Sequence, residues 1–264
     1  MTNEQIIDEA MRLTTEGDYA NALQLWETLS GMAFLDVESK CLYLLNERRC
    51  RTALGQHEIA QQLLDRVEKI DISGRFRLEV EHARIDELYN QHKFVEANQR
   101  SEQFARENSI KLASPEFAII AYELKLGLAS GLIHANEFDA GLKLLTELLP
   151  VAANEDKERI HYYRGLAYRH LKREDAAIDE FKEIVASADR DLWVATAHYQ
   201  LGLIYESKGI LAWAKHYLQS AELLKDLITF PVSYIYSALS NVCFKLHETE
   251  EGRRYRKLAE SEGI

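Results

Sequence analysis

His82 and Asp86 stand four residues apart in "LEVEHARIDELYN", a spacing that places an imidazole and a carboxylate on one face of a helix. Such a pair supplies two metal ligands, and a site would need a third and a fourth. The chain offers no H-E-x-x-H and no Cys/His cluster to provide them, so the pair is expected to be a solvated polar one. His161, His170, His198 and His216 have no partner at motif spacing and read as packing or surface histidines. Cys41, Cys50 and Cys243 are odd in number and follow no C-x-x-C pattern, which fits reduced, packed thiols. Nine residues of helix would hold Cys41 and Cys50 about 13 Å apart, too far for a disulfide. "NERRCRTALG" gathers Arg48, Arg49 and Arg51, either as a patch for acidic or phosphate groups or, more simply, as arginines that face solvent or pair with nearby Glu. No G-x-x-x-x-G-K-[ST], G-x-G-x-x-G or G-x-S-x-G occurs. Non-catalytic function without metal or cofactor is the expectation.

These side chains sit in a chain of 264 residues with a formal net charge of -11, which repels phosphate backbones and argues against nucleic acid as a partner. Only three prolines and twelve glycines break it, and Leu, Ala, Glu and Lys are abundant, so helix should dominate. "MTNEQIIDEAMRL" has neither the basic start nor the apolar core of a secretory signal. The longest apolar runs, such as "LLTELLPVAA", are expected to be too short to cross a bilayer. A cytoplasmic protein that does not engage membranes follows from this reading.

A repeat organises the helices. A small residue recurs at Ala22, Ala60, Ala97, Gly141, Ala177, Ala214 and Gly252, in steps of 38, 37, 44, 36, 37 and 38. Around each lies the pattern of two antiparallel helices. In "LGLIYESKGILAWAKHYLQSAELL", Leu201, Ile204 and Tyr205 mark one buried stripe, and Leu211, Ala214, Leu218, Ala221 and Leu224 mark the next. Gly209 stands between them, where a helix end calls for a left-handed residue. Gly202 and Ala214 are expected to be small because the two helices approach closely there. In the longest step, Ser114 before Pro115 predicts a helix start, and this segment is where the array is expected to bend.

This pattern resembles the tetratricopeptide repeat, whose signature runs aromatic, Leu-Gly, Tyr, then Ala, aromatic and Ala. The sixth repeat matches with Leu201, Gly202, Tyr205, Ala214, Leu218 and Ala221; the fifth with Gly165, Tyr168, Ala177, Phe181 and Ile184. The first supplies Ala10, Leu13, Ala22, Trp26 and Leu29; the fourth, Ala129, Leu132, Gly141, Leu145 and Leu148. Departures occur at Arg48 and Arg51, where small and aromatic residues are expected, at Ser101, a normally bulky position, and at Arg256. The resemblance implies an all-α, right-handed superhelical solenoid of about seven helical hairpins in one domain over residues 1–264. The repeats fall at approximately 3–35, 36–73, 74–114, 115–154, 155–189, 190–230 and 231–264.

In this family the first helices of successive repeats line a concave, ligand-binding face. Carrying the register across places Asn46, Arg49, His82, Asp86, Tyr89, Asn90, Glu123, Ser130 and His134 on that face in the second to fourth repeats. Arg159, Tyr162, Arg169, His170, Tyr199, Glu206, Tyr234, Asn241 and Lys245 follow in the fifth to seventh. Tyrosines suit peptide recognition, asparagines can pair with an extended backbone, and arginines can grip carboxylates. The Lys/Asn carboxylate clamp of the chaperone-binding branch is not found, Lys245 being the only inward lysine. The expected function is a protein- or peptide-binding scaffold or adaptor; the other reading is a signal-peptide sensor related to bacterial quorum-sensing solenoids. Self-association through the ends or convex face is left open.

Overall fold

The computed structural model describes residues 2–33, 35–186 and 192–262, so the predicted boundary between the fifth and sixth repeats, at 189–190, lies outside the described residues. Among the described residues the secondary structure is helical throughout. α1 (Asn3–Thr15) and α2 (Tyr19–Gly31) form the first hairpin, α3 (Val37–Ala53) and α4 (His57–Ile70) the second, and α5 (Arg77–Asn90) and α6 (Phe94–Glu107) the third. A four-residue α7 (Ser109–Leu112) and a 3-10 turn, Pro115–Phe117, fill the longest step and lead into α8 (Ala118–His134) and α9 (Phe138–Leu148). Then come α10 (Asn154–His170) with α11 (Glu174–Val185), α12 (Leu192–Ser207) with α13 (Leu211–Leu223), and α14 (Ser233–Lys245) with α15 (Thr249–Glu262). The chain divides into two compact units, Met1–Gly131 and Leu132–Ile264, and α8 runs across the division.

Every hairpin is closed by the same backbone device. Gly17, Gly55, His92, Asn136, Lys172, Gly209 and His247 all have positive φ, between 58° and 80°. Each stands five residues ahead of one of the seven small residues. The residue after it donates its N–H to a carbonyl five positions back, as in Asp18 to Leu13, Arg173 to Tyr168 and Glu248 to Cys243, at 2.8–2.9 Å. This is the bond of a Schellman turn, which satisfies orphan carbonyls and reverses the chain in three residues. Four of the seven positions are not glycine, so the turn is kept even where a Cβ penalises it.

Beyond the turn, the small residues are buried: Ala22, Ala60, Ala97, Ala177 and Ala214 expose no surface. Gly202 is needed for close approach, since a Cβ there would lie 2.5 Å from Leu218 Cγ and 3.3 Å from its backbone nitrogen. In the first hairpin Trp26 is buried beside Ala10, Ala22 and Leu29, and its indole N–H donates to Thr14 Oγ1 at 3.1 Å. Second helices also pack on the first helix of the next hairpin, α2 on α3, α4 on α5, α11 on α12 and α13 on α14. That stacking gives each hairpin a second apolar face to cover.

One sequence expectation is corrected, and two others gain detail. A helical segment does start at Ser114 and Pro115, as the sequence predicts, but the Ser114 side chain makes no cap bond: its hydroxyl donates backward, at 2.8 Å, to the Lys111 carbonyl, which also accepts the Ser114 N–H. Ser101, small where a bulky residue is usual, is fully buried. Tyr89 from α5 fills the space and its hydroxyl lies 3.0 Å from Ser101 Oγ. The correction concerns membranes: among the described residues one helix is long and apolar enough to cross a membrane by length and composition, Pro115–His134, of mean hydropathy 1.3. Its apolar residues have partners within the first compact unit, where Leu124 and Ile120 pack with Leu78, Ile85 and Phe104.

Gly209→Ala should cost about 1 kcal/mol through the left-handed backbone alone. Gly202→Ala should cost about 1–3 kcal/mol through overpacking. Both should appear as lower urea midpoints at unchanged m-value.

Candidate functional site

In the first compact unit, most of the positions predicted to face a ligand are bonded within the protein. His82 and Asp86 do not pair. Asp86 Oδ2 accepts from Arg48 Nη1 at 3.3 Å, and His82 Nδ1 lies 3.8 Å from Glu123 Oε2. Burial holds His82 below the usual imidazole value, which Glu123 and Asp86 partly counter. Tyr89 turns into its own hairpin, bonded to Asn98 and Ser101, and Gly127 and Gly131 of α8 make room for its ring. A Cβ on Gly131 would lie 2.6 Å from Tyr89 Cε1. Asn46 and Asn90 donate to carbonyls of their own helices, Leu42 and Asp86, each at 2.9 Å. Ser130 is buried and donates to Gly127 O, while Arg49 and Glu123 are exposed. The arginine patch is likewise dispersed. Arg48 reaches Asp86, and Arg51 binds Glu27, Gln56 and, at 3.8 Å, Glu47.

The second compact unit is different in kind. Along α10, α12 and α14 the predicted positions assemble aromatic surface. Tyr162 packs on Trp193 (centroids 5.3 Å), Tyr163 (5.6 Å) and Phe181 (6.1 Å). Tyr199 lies 4.9 Å from Phe230, which stacks on Tyr234 at 6.4 Å. Tyr234 is 56% exposed. His134 meets Tyr163 edge-on at 5.7 Å, and His170 stacks on Phe138 at 4.7 Å. Polar groups run between the rings. Lys245 Nζ donates to Glu206 Oε1 at 2.8 Å, and Arg169 Nη1 donates to Gln200 Oε1. Asn241 is exposed and lines a 300 Å³ concavity with Ser237, Ser240 and Arg256. Burial pushes the Tyr162 phenol up to about 12, so it is neutral at any physiological pH.

No protein-family model and no curated protein matches the chain. Solved structures do. The apo form of the quorum sensor NprR from B. thuringiensis superposes with a TM-score of 0.76 at 18% identity, over 97% of this chain and 74% of that one. A tetratricopeptide repeat protein from Parabacteroides merdae superposes at 0.59 and 16% identity, over 99% and 93%. The apo form of RapI does so at 0.70 and 13%, over 98% and 76%. The fold is that of the tetratricopeptide repeat.

Two clusters within this tetratricopeptide-repeat array escaped the sequence reading. Glu87, 2% exposed on α5, accepts from Thr52 Oγ1 at 2.6 Å and is bonded to His57 Nδ1. His57 and Glu87 line a concavity of about 700 Å³ with Gln61, Arg84, Gln91 and Lys93. A carboxylate that holds one ring nitrogen leaves the other, Nε2, to act as donor or acceptor. The signal was faint: Glu47 and Glu87 are acidic residues on the buried side of first helices, and each is met by a hydroxyl from the preceding hairpin, Ser30 or Thr52. In the other cluster, donor atoms of Cys243, Glu248 and Glu251 lie within 4.8 Å of one another, a metal-like spacing. The chain itself supplies the cation there. Lys215 Nζ donates to both glutamates, at 2.6 and 2.7 Å, and burial raises the Cys243 thiol to about 11. Cys41, Cys50 and Cys243 are all free and buried, as expected.

His198 on α12 gives a pH-dependent consequence. Burial, then the nearby His216, lowers its pKa from 6.5 to about 4, and its Nδ1 has no hydrogen-bond partner. The folded state therefore refuses a proton that the unfolded chain accepts. Stability from this group is full above pH 6.5 and falls as pH drops towards 4. His198→Asn should flatten the dependence of the urea midpoint on pH across that window.

Proposed function

We propose that the chain is a non-catalytic, cytoplasmic module that binds a peptide or an extended protein segment along the exposed face of α10, α12 and α14. The observation that carries this is the Tyr199–Phe230–Tyr234 shelf. Rings packed on one another, Tyr199 tilted against Phe230 and Phe230 stacked on Tyr234, with Tyr234 56% exposed, present apolar surface that is already ordered. Rigid aromatic surface of this kind gives contact area at little entropic cost. Hydrogen-bonding groups beside it, at Gln200, Arg169, Glu206, Lys245 and Asn241, suit a backbone and its side chains. Tyr162, though part of the predicted set, is a supporting residue in this reading. The net charge of -11 disfavours nucleic acid, and the partner is neither membrane nor metal. Self-association is compatible with this reading.

A second reading draws on the likeness to NprR, whose structure in complex with its cognate peptide NprX also superposes, with a TM-score of 0.66 over 97% of this chain and 77% of that one. In it, the peptide is a signal and the response is a change in curvature. A shift in the radius of gyration by small-angle scattering on adding a selected peptide supports the sensor; constant dimensions at saturation support the adaptor.

Selection from a displayed peptide library should enrich sequences with aromatic or aliphatic side chains. Tyr199→Ala/Tyr234→Ala should weaken the selected peptides by about 2 kcal/mol or more, with the helical circular dichroism unchanged. Full affinity in a folded double variant would remove this face as the site.

A further inference from the structure

Half-buried arginines in this protein are, as a rule, paired with carboxylates. Arg48 meets Asp86, Arg51 meets Glu27, Arg84 meets Asp65 and Glu68, Arg100 meets Glu81, and Arg164 meets Glu180. Two half-buried arginines of α10, Arg159 and Arg169, are exceptions, and of these Arg169 is held by a buried side chain. Among the described residues no carboxylate lies within 4.0 Å of Arg169, and its guanidinium donates to a neutral amide oxygen, Gln200 Oε1. Gln200 is itself buried and shares a second hydrogen bond with the Tyr162 hydroxyl. The guanidinium is close enough to Tyr162, Tyr199 and His170 to act on the titration of all three. Glu206, an acid predicted on the same face, is taken up by Lys245.

A guanidinium has five donors in a planar fork, and Gln200 uses one. A partly desolvated cation held by a neutral partner retains a deficit that an anion corrects. We infer that Arg169, oriented by Gln200, is the subsite for a single carboxylate of the bound peptide, with the aromatic shelf taking the side chains next to it. This rests on the peptide-binding reading above. The single uncompensated positive charge suits a monoanion, and a carboxylate matches the fork in two parallel bonds. That carboxylate belongs either to the peptide's C-terminus or to an Asp or Glu side chain.

Three synthetic pools of eight-residue peptides, composed of Ala, Leu, Phe, Tyr, Ser, Asn and Gly, separate these sources. The first is C-terminally amidated and has no carboxylate; the second has a free C-terminus; the third is amidated and carries one Glu. Retention on the immobilised full chain should favour the second pool if the α-carboxylate is read, and the third if a side chain is. Peptides retained from the favoured pool should bind Arg169→Gln at least tenfold more weakly by fluorescence anisotropy, a loss typical of a charged hydrogen bond. Arg169→Lys, which keeps the charge but not the fork, should fall between, and Arg253→Gln, on the exposed face of α15, should bind as wild type. Equal retention of all three pools, lost in Tyr199→Ala but not in folded Arg169→Gln, would overturn the carboxylate subsite and leave the groove. No retention from any pool would overturn both.

Discussion

A left-handed residue five positions ahead of a small one is the constraint on which the rest of this protein is built. The positive-φ residue turns the chain back within three positions, and the i to i−5 hydrogen bond pins the direction of departure. The small residue then lies where the returning helix crosses its partner. Only after both are in place can Trp26, Phe181 or Leu218 reach between the helices and be buried. The turn tolerates His92, Asn136, Lys172 and His247 because the packing that follows outweighs the cost of a Cβ at positive φ.

Hairpins closed in this way still have to recognise their neighbours in register, and charged groups contribute to that. Glu47 and Glu87 are nearly inaccessible, and each is met by a hydroxyl from the hairpin before it. A buried carboxylate without its donors would carry a desolvation cost of several kcal/mol, so a slipped register is strongly disfavoured. Lys215, between Glu248 and Glu251, joins the last two hairpins in the same manner. Many of the charged side chains are thereby placed in local pairs. Against that background an arginine paired only with an amide is conspicuous, and it lies beside the most exposed aromatic surface of the second compact unit.

The two compact units use their first helices differently. In the first, the inward positions are spent on cross-links between helices: Arg48 to Asp86, His82 to Glu123, Tyr89 to Asn98 and Ser101. In the second, the equivalent positions carry Tyr162, packed on Trp193, and Tyr199 and Tyr234, both packed on Phe230. The same fold therefore yields a largely self-satisfied face in one unit and an aromatic, part-exposed face in the other.

The repeat itself was determined by sequence alone. Helix periodicity, the turn residues and the small residues are local properties, set by interactions within about a dozen positions, and the seven left-handed turns follow the predicted register at constant offset. Each repeat taken singly departs from the signature, as Arg48, Ser101 and Arg256 show, and the pattern holds as a sum. What register could not decide was the destination of each side chain. Tyr89 and Tyr162 sit at positions of similar meaning to Tyr199, yet Tyr89 fills the hole left by Ser101 and two glycines of another helix, and Tyr162 is enclosed by Trp193 and Phe181. His57 finds Glu87 thirty residues away. Those outcomes depend on the volume and polarity of groups from other hairpins, which become neighbours only when the array stacks.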